Sequence, residues 1–178
     1  MRVIGTVGLP GSGKGEFAEV AREEGVPVVT MGDVIREECR ARGLDPSDHH
    51  GEVARALREE DGPLAIAERT VPRVREAMTD EDVDTVLVDG LRSGDELDCF
   101  RDAFGDDFTL VAIEAPFEAR VERIEARGRD NTAEETLRDR DDRERGFGMG
   151  DAIDRADVRI DNDESLDAFR AAVREFLS

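Results

Sequence analysis

The sequence is almost without lysine: of 25 basic residues in 178, Lys14 is the single lysine and the other 24 are arginine. Cysteine is scarce as well. Cys39 and Cys99 have no metal-ligand spacing and are read as reduced thiols of a cytosolic protein. No apolar run approaches the ~20 residues of a membrane span, and the N-terminus enters a strand with no signal-peptide pattern. Repeats and low-complexity linkers are missing too. Positive charge falls far short of negative, 25 basic residues against 45 acidic, for a net charge of −20. Such a surface speaks against the phosphate backbone of DNA or RNA and against anionic membranes. The expectation is a cytoplasmic protein that binds neither nucleic acid nor membranes, its oligomeric state open.

At 178 residues the chain is expected to form one domain with a real core. Its hydrophobic fraction of 38% is ordinary, but 39% of residues are charged, against a usual value of about 25%. Excess Asp and Glu, almost no Lys and a pI near 4.4 resemble proteins from salt-in halophiles. In molar salt, charge repulsion is screened and a hydrated acidic surface keeps a protein soluble. An acidic protein of an ordinary cytoplasm is the alternative.

The densest signal is Gly8-Leu9-Pro10-Gly11-Ser12-Gly13-Lys14-Gly15, which follows the apolar run Val3–Val7 and precedes a helical pattern from Glu16. Strand, glycine loop and helix in that order form the setting of a phosphate-binding P-loop. Bare backbone approaches a polyphosphate closely, its N–H groups converge on the anion, and the helix dipole adds to them. Lys14 supplies a mobile charge for the outer phosphates. Gly15 stands where a hydroxyl for Mg²⁺ is usual, and Glu16 follows. The run resembles the loop of adenylate-kinase-like nucleoside monophosphate kinases, in which threonine usually stands where Glu16 does.

Apolar runs at Val3–Val7, Val26–Val29, Val86–Val88, Thr109–Ile113 and Val158–Ile160 predict five strands, several continuous enough to be buried on both faces. Helices are predicted at about 14–24, 33–42, 51–78, 94–104, 116–127, 132–145 and 165–177. Ser93-x-x-Glu96 and Thr132-x-x-Glu135 read as capping boxes, and Pro116 suits a first helical turn. The alternation implies an α/β fold with a doubly wound, parallel, five-stranded sheet. Its core would comprise 1–31, 79–127 and 151–178. Two insertions, about 32–78 and about 128–150, would form an acceptor-binding subdomain and a lid over the carboxyl edge of the sheet.

Further motifs sit at that edge. Thr30-Met31-Gly32-Asp33-Val34-Ile35-Arg36 resembles the Thr-Gly-Asp-x-x-Arg stretch of adenylate kinases, with Met31 intervening. The resemblance implies that Arg36 contacts the acceptor's phosphate; the alternative is an Asp cap beside a surface arginine. Val86-Leu87-Val88-Asp89-Gly90-Leu91-Arg92 places Asp89 at the end of a buried strand, positioned to hold Mg²⁺ directly or through water. It is similar to the Asp-Gly-Phe-Pro-Arg of adenylate kinases, one residue shorter, which implies a second phosphate grip at Arg92. A turn-forming Asp89 is the alternative.

Arg120, Arg123, Arg127 and Arg129 lead into the lid region, and Arg123-Ile124-Glu125-Ala126-Arg127 is similar to an Arg-x-x-x-Arg of adenylate kinases that meets ATP. Arg140 and Arg143, one turn apart, would add charge to the transferring group, and Gly146-Phe147-Gly148-Met149-Gly150 reads as a flexible hinge. Any of these arginines has surface ion pairing as its alternative. Ala156-Asp157-Val158-Arg159-Ile160-Asp161-Asn162 looks like the Ala-Asp-x-x-Ile-x-Asn segment of dephospho-CoA kinases. There Asn162 would begin a turn that meets adenine through its backbone, or only a cap.

The resemblance covers nearly the whole chain and is to an archaeal group of P-loop kinases lying between adenylate kinase and dephospho-CoA kinase. It implies a kinase using ATP and Mg²⁺ on a small nucleotide or nucleotide-like acceptor, with a nucleoside monophosphate favoured. Dephospho-CoA is the alternative acceptor. An ATP-binding switch or ATPase acting through a protein partner is the alternative of another class.

Overall fold

The computed structural model describes residues 1–126 and 134–178. Five strands, β1 (Arg2–Val7), β2 (Val28–Thr30), β3 (Thr85–Asp89), β4 (Phe108–Glu114) and β5 (Val158–Asp161), form one sheet in the order β2-β3-β1-β4-β5. Every pairing is parallel. Successive side chains on a strand point to opposite faces, and here both faces are covered. Val3, Val7, Val86, Val88, Leu110 and Ala112 join one core cluster; Ile4, Leu87, Val111, Ile113 and Ile160 join the other. This two-sided burial explains why the strands read as continuous apolar runs.

The second face is covered by α1 (Lys14–Glu23) and α9 (Leu166–Leu177), through Phe17, Val20, Phe169 and Val173. The first is covered by α2 (Met31–Ala41), α3 (Pro46–Asp61), α4 (Ala65–Ala77) and α5 (Gly94–Phe104). The helix expected over 51–78 is two helices. Gly62, at φ 99°, and Pro63 break it, and α3 begins earlier than expected because Asp45 accepts a bond from Ser47 N at 2.8 Å with Pro46 in the first turn. Thus the 32–78 insertion is a three-helix layer packed on the first face of the sheet.

After β4 come α6 (Phe117–Ala126), α7 (Glu134–Gly146) and the short α8 (Met149–Asp154). Residues 146–150, read as a hinge in the sequence, form the junction of α7 and α8, with Gly148 at φ 98°. Ser93 caps α5 as expected, accepting from Glu96 N at 3.2 Å, while Glu96 accepts from Arg92 N at 2.8 Å. Arg127, Arg129 and the Thr132 end of the second capping box lie outside the described residues.

Candidate active site

The loop from Gly8 to Gly13 joins the carboxyl end of β1 to α1. Gly13 has φ 120°, and a Cβ there would collide with Asn162 Nδ2 and press on the Phe169 ring, so only glycine fits. Asn162 Nδ2 donates to Ser12 O at 2.8 Å, and Arg123 Nη2 donates to Asn162 O at 2.8 Å and to its Oδ1 at 3.2 Å. Arg123 Nη1 also reaches Gly11 O at 3.4 Å. The two residues expected on the ATP side are therefore stitched to each other and to the loop. On the loop's other flank, Arg120 Nη1 donates to Pro10 O at 3.1 Å and the guanidinium pairs with Asp141 of α7 at 2.8 and 2.7 Å. That pair is buried, and Arg120 Nε has no partner among the described residues.

Lys14 opens α1, and its Nζ donates to Gly8 O and lies 3.5 Å from Leu9 O. Burial pushes its pKa below the ordinary value, while the carboxylates of Asp89 and Glu144 pull it back up. Asp89 ends β3 opposite Thr6, whose Oγ1 donates to Asp89 Oδ1 at 3.3 Å. Burial raises the Asp89 pKa, and the Lys14 charge opposes the rise. No atom crowds Gly15, and Glu16 is directed to α9, where Arg170 donates to its carboxylate.

A cavity of about 290 Å³ opens at the same edge between α2, α3 and the end of β3. Met31, Ile35 and Ile66 give it an apolar floor; Arg36, Arg58, Arg92, His50 and Glu96 give it charge. Arg36 Nε and Nη2 both donate to Asp33 Oδ1, at 2.9 and 2.7 Å, so the i,i+3 pair of the opening turn of α2 is made. Burial, then Arg36, lowers the His50 pKa and favours its neutral form. Burial raises the Glu96 pKa, and the hydrogen bond from Arg92 N opposes this. Arg36, Arg58 and Arg92 line the cavity together with the Glu96 carboxylate, while Asp33 and Glu144 pair Arg36 and Arg92 from outside that lining; guanidinium forks of this kind suit an anion.

A protein-family model described as an AAA domain matches residues 7–138. A UPF0200 protein of Halobacterium salinarum is 62% identical over 179 residues, spanning 100% of this chain and 93% of its own. The chain belongs to the UPF0200 family. A UPF0200/UPF0201 protein of Archaeoglobus fulgidus is 48% identical over 99% of this chain, yet the match spans 55% of its own length. Among solved structures, a shikimate kinase from Acinetobacter baumannii in complex with shikimate superposes with a TM-score of 0.55 at 17% identity, covering 99% of this chain and 91% of that one. The fold is that of the P-loop kinases.

In this UPF0200 chain the loop, Asp89, Arg36, Arg92, Arg123 and Asn162 gather at one edge of the sheet. On α7, Arg143 lies differently from expectation. Leu137, Asp141 and Glu144 form the inward stripe of α7, and Arg143 is exposed. At about 100° per residue, Arg143 points well away from that stripe. Arg140 is half-exposed beside it, and Arg127 lies outside the described residues. Sequence reasoning missed His50, Arg58, Glu96 and Glu144. For Glu144 the i,i+3 spacing with Asp141 was the available signal, which Arg140 and Arg143 share, and for Glu96 it was the capping box.

Proposed function

We propose that the chain is a phosphotransferase moving the γ-phosphoryl group of ATP to a small nucleotide or nucleotide-like acceptor, most favourably a nucleoside monophosphate. The observation that carries this reading is one sheet edge bearing both the P-loop lysine and a cavity rimmed by Arg36, Arg58 and Arg92. Two anions must be held together for transfer between phosphates, and cations serve that need better than a general base. Arg36 and Arg92 are the grips for the acceptor phosphate, Lys14 that for the outer phosphates of ATP, and Arg123 with Asn162 the wall on the nucleotide side. The Asp33 oxygen that accepts two N–H groups from Arg36 orients that arginine.

Mg²⁺ suits the donor set at Asp89. It is commonly held by one or two carboxylates plus substrate phosphates and water, and among the described residues no group of three or more acidic, His or Cys side chains forms a cage. When bound there it would neutralise charge on the phosphates. The test incubates purified protein with Mg-ATP in molar KCl against AMP, CMP, UMP and dephospho-CoA. ADP should form in proportion to a monophosphate, and product from dephospho-CoA alone would move the reading to the alternative acceptor.

One observation favours a second reading, the partner-dependent switch. In the Archaeoglobus fulgidus relative the matching region makes up 55% of a longer chain named for two families. A switch would hydrolyse ATP slowly whatever acceptor is present, and faster when the second module of that relative is added.

A further inference from the structure

Arg92 already holds an oxyanion. Its Nε and Nη2 donate to Oε2 and Oε1 of Glu144 at 2.9 and 2.5 Å, the two-pronged geometry that a guanidinium offers a phosphate or carboxylate ligand. The Phe147 ring lies 5.0 Å from Arg92 Cζ and helps confine the guanidinium. The Glu144 side chain is only 17% exposed. Its carboxylate also lies within electrostatic reach of Lys14 and of Arg58, so donor-side and acceptor-side cations converge on it. Three residues earlier, Asp141 holds Arg120 against the P-loop carbonyl of Pro10. Thus α7 docks on the site through two acids, Asp141 beside the P-loop and Glu144 on the cavity-lining Arg92.

We propose that Glu144 is an internal stand-in for the anionic group of the acceptor, and that an acceptor gains Arg92 only by exchanging Glu144 off it. This rests on the kinase reading above and assigns the acceptor's anionic group, a phosphate or carboxylate, to Arg92 in exchange for Glu144. The exchange acts as a charge filter. A phosphomonoester dianion competes well with a single carboxylate for a guanidinium, whereas water or a neutral alcohol does not. Occupation of Arg92 by Glu144 lowers the apparent affinity of every acceptor by the fraction of molecules in which the arginine is free.

The experiment measures dissociation constants for AMP and for inorganic phosphate, without turnover, in molar KCl. Wild type is compared with Glu144→Gln, Arg92→Ala and the double variant. Glu144→Gln keeps the shape and removes the charge, so AMP should bind about tenfold more tightly. Arg92→Ala should weaken binding at least as much, and adding Glu144→Gln to it should restore nothing. Saturating AMP should also speed amide exchange over the last turns of α7 in the wild type. Equal or weaker AMP binding by Glu144→Gln, including no binding by either protein, overturns the proposal and leaves Glu144 a positioning partner of Arg92. The kinase reading fails separately: tighter AMP binding with no phosphoryl transfer to any acceptor would reject that reading and keep the stand-in.

Discussion

Lys14 turns its ammonium onto the carbonyl oxygens of its own loop and stays close to Asp89. It packs against the P-loop backbone and belongs to neither core cluster. Lys14→Ala should therefore cut turnover by ~10²–10³-fold or more while circular dichroism remains that of the wild type. Near-normal activity in that variant would remove the loop from the mechanism. Asp33 and Arg36 separate the two acceptors. A monophosphate arrives already ionised and needs cations, so Arg36→Ala should destroy acceptor use and Asp33→Asn should cost far less. A ribose hydroxyl must lose its proton during transfer, a role worth ~10²–10⁴-fold to a carboxylate within reach. If steady-state rates show Asp33→Asn to be the crippling change and Arg36→Ala the mild one, a hydroxyl acceptor such as dephospho-CoA is favoured.

At the scale of elements, the joint between α6 and α7 rests on the buried Arg120–Asp141 pair. Removing one partner of such a pair leaves an uncompensated charge, so Asp141→Ala should cost about 3–5 kcal/mol. Thermal unfolding should register this as a Tm lower by roughly ten degrees, whereas Asp142→Ala, at the exposed neighbour, should change it little. The strands were legible in the sequence because burial on both faces leaves no polar alternation to misread. The long acceptor-side helix was misread because its apolar spacing carries across Gly62-Pro63, where the backbone turns. The inner face of α7 was not legible for a different reason. Leu137 is a single apolar anchor in a helix of charges, and Arg140/Arg143 and Asp141/Glu144 offer the same spacing. Which pair turns inward depends on Arg92 and Arg120, residues distant in the chain. For the same reason His50 and Arg58 look like surface positions of α3 until that helix is laid against α2.

Across the whole molecule, arginine forks lace helices together at the surface. Arg73 pairs with Glu37, Arg42 with Glu38 and Glu60, Arg69 with Glu38 and Asp61, and Arg170 and Arg174 with acids of α1 and the turn after it. Exposed pairs of this kind are individually weak, and salt weakens them further. Salt also screens the repulsion left by 45 acidic residues against 25 basic ones. With a net charge of −20 the second effect should win. Raising KCl from dilute buffer to molar concentration should therefore lift Tm by about ten degrees, equivalent to a few kcal/mol. A Tm independent of salt would reject the halophilic reading.

The chain's single lysine side chain is half-buried at the P-loop. Protein grown on ¹⁵N-lysine would therefore show one side-chain ammonium resonance, arising from the centre of the site and free of overlap. Its chemical shift would follow the arrival of each phosphate, and its titration would report the burial that lowers the Lys14 pKa. An amine-directed reagent would likewise find only this side chain and the chain's own amino end, so protection by nucleotide could be read from a single modified peptide.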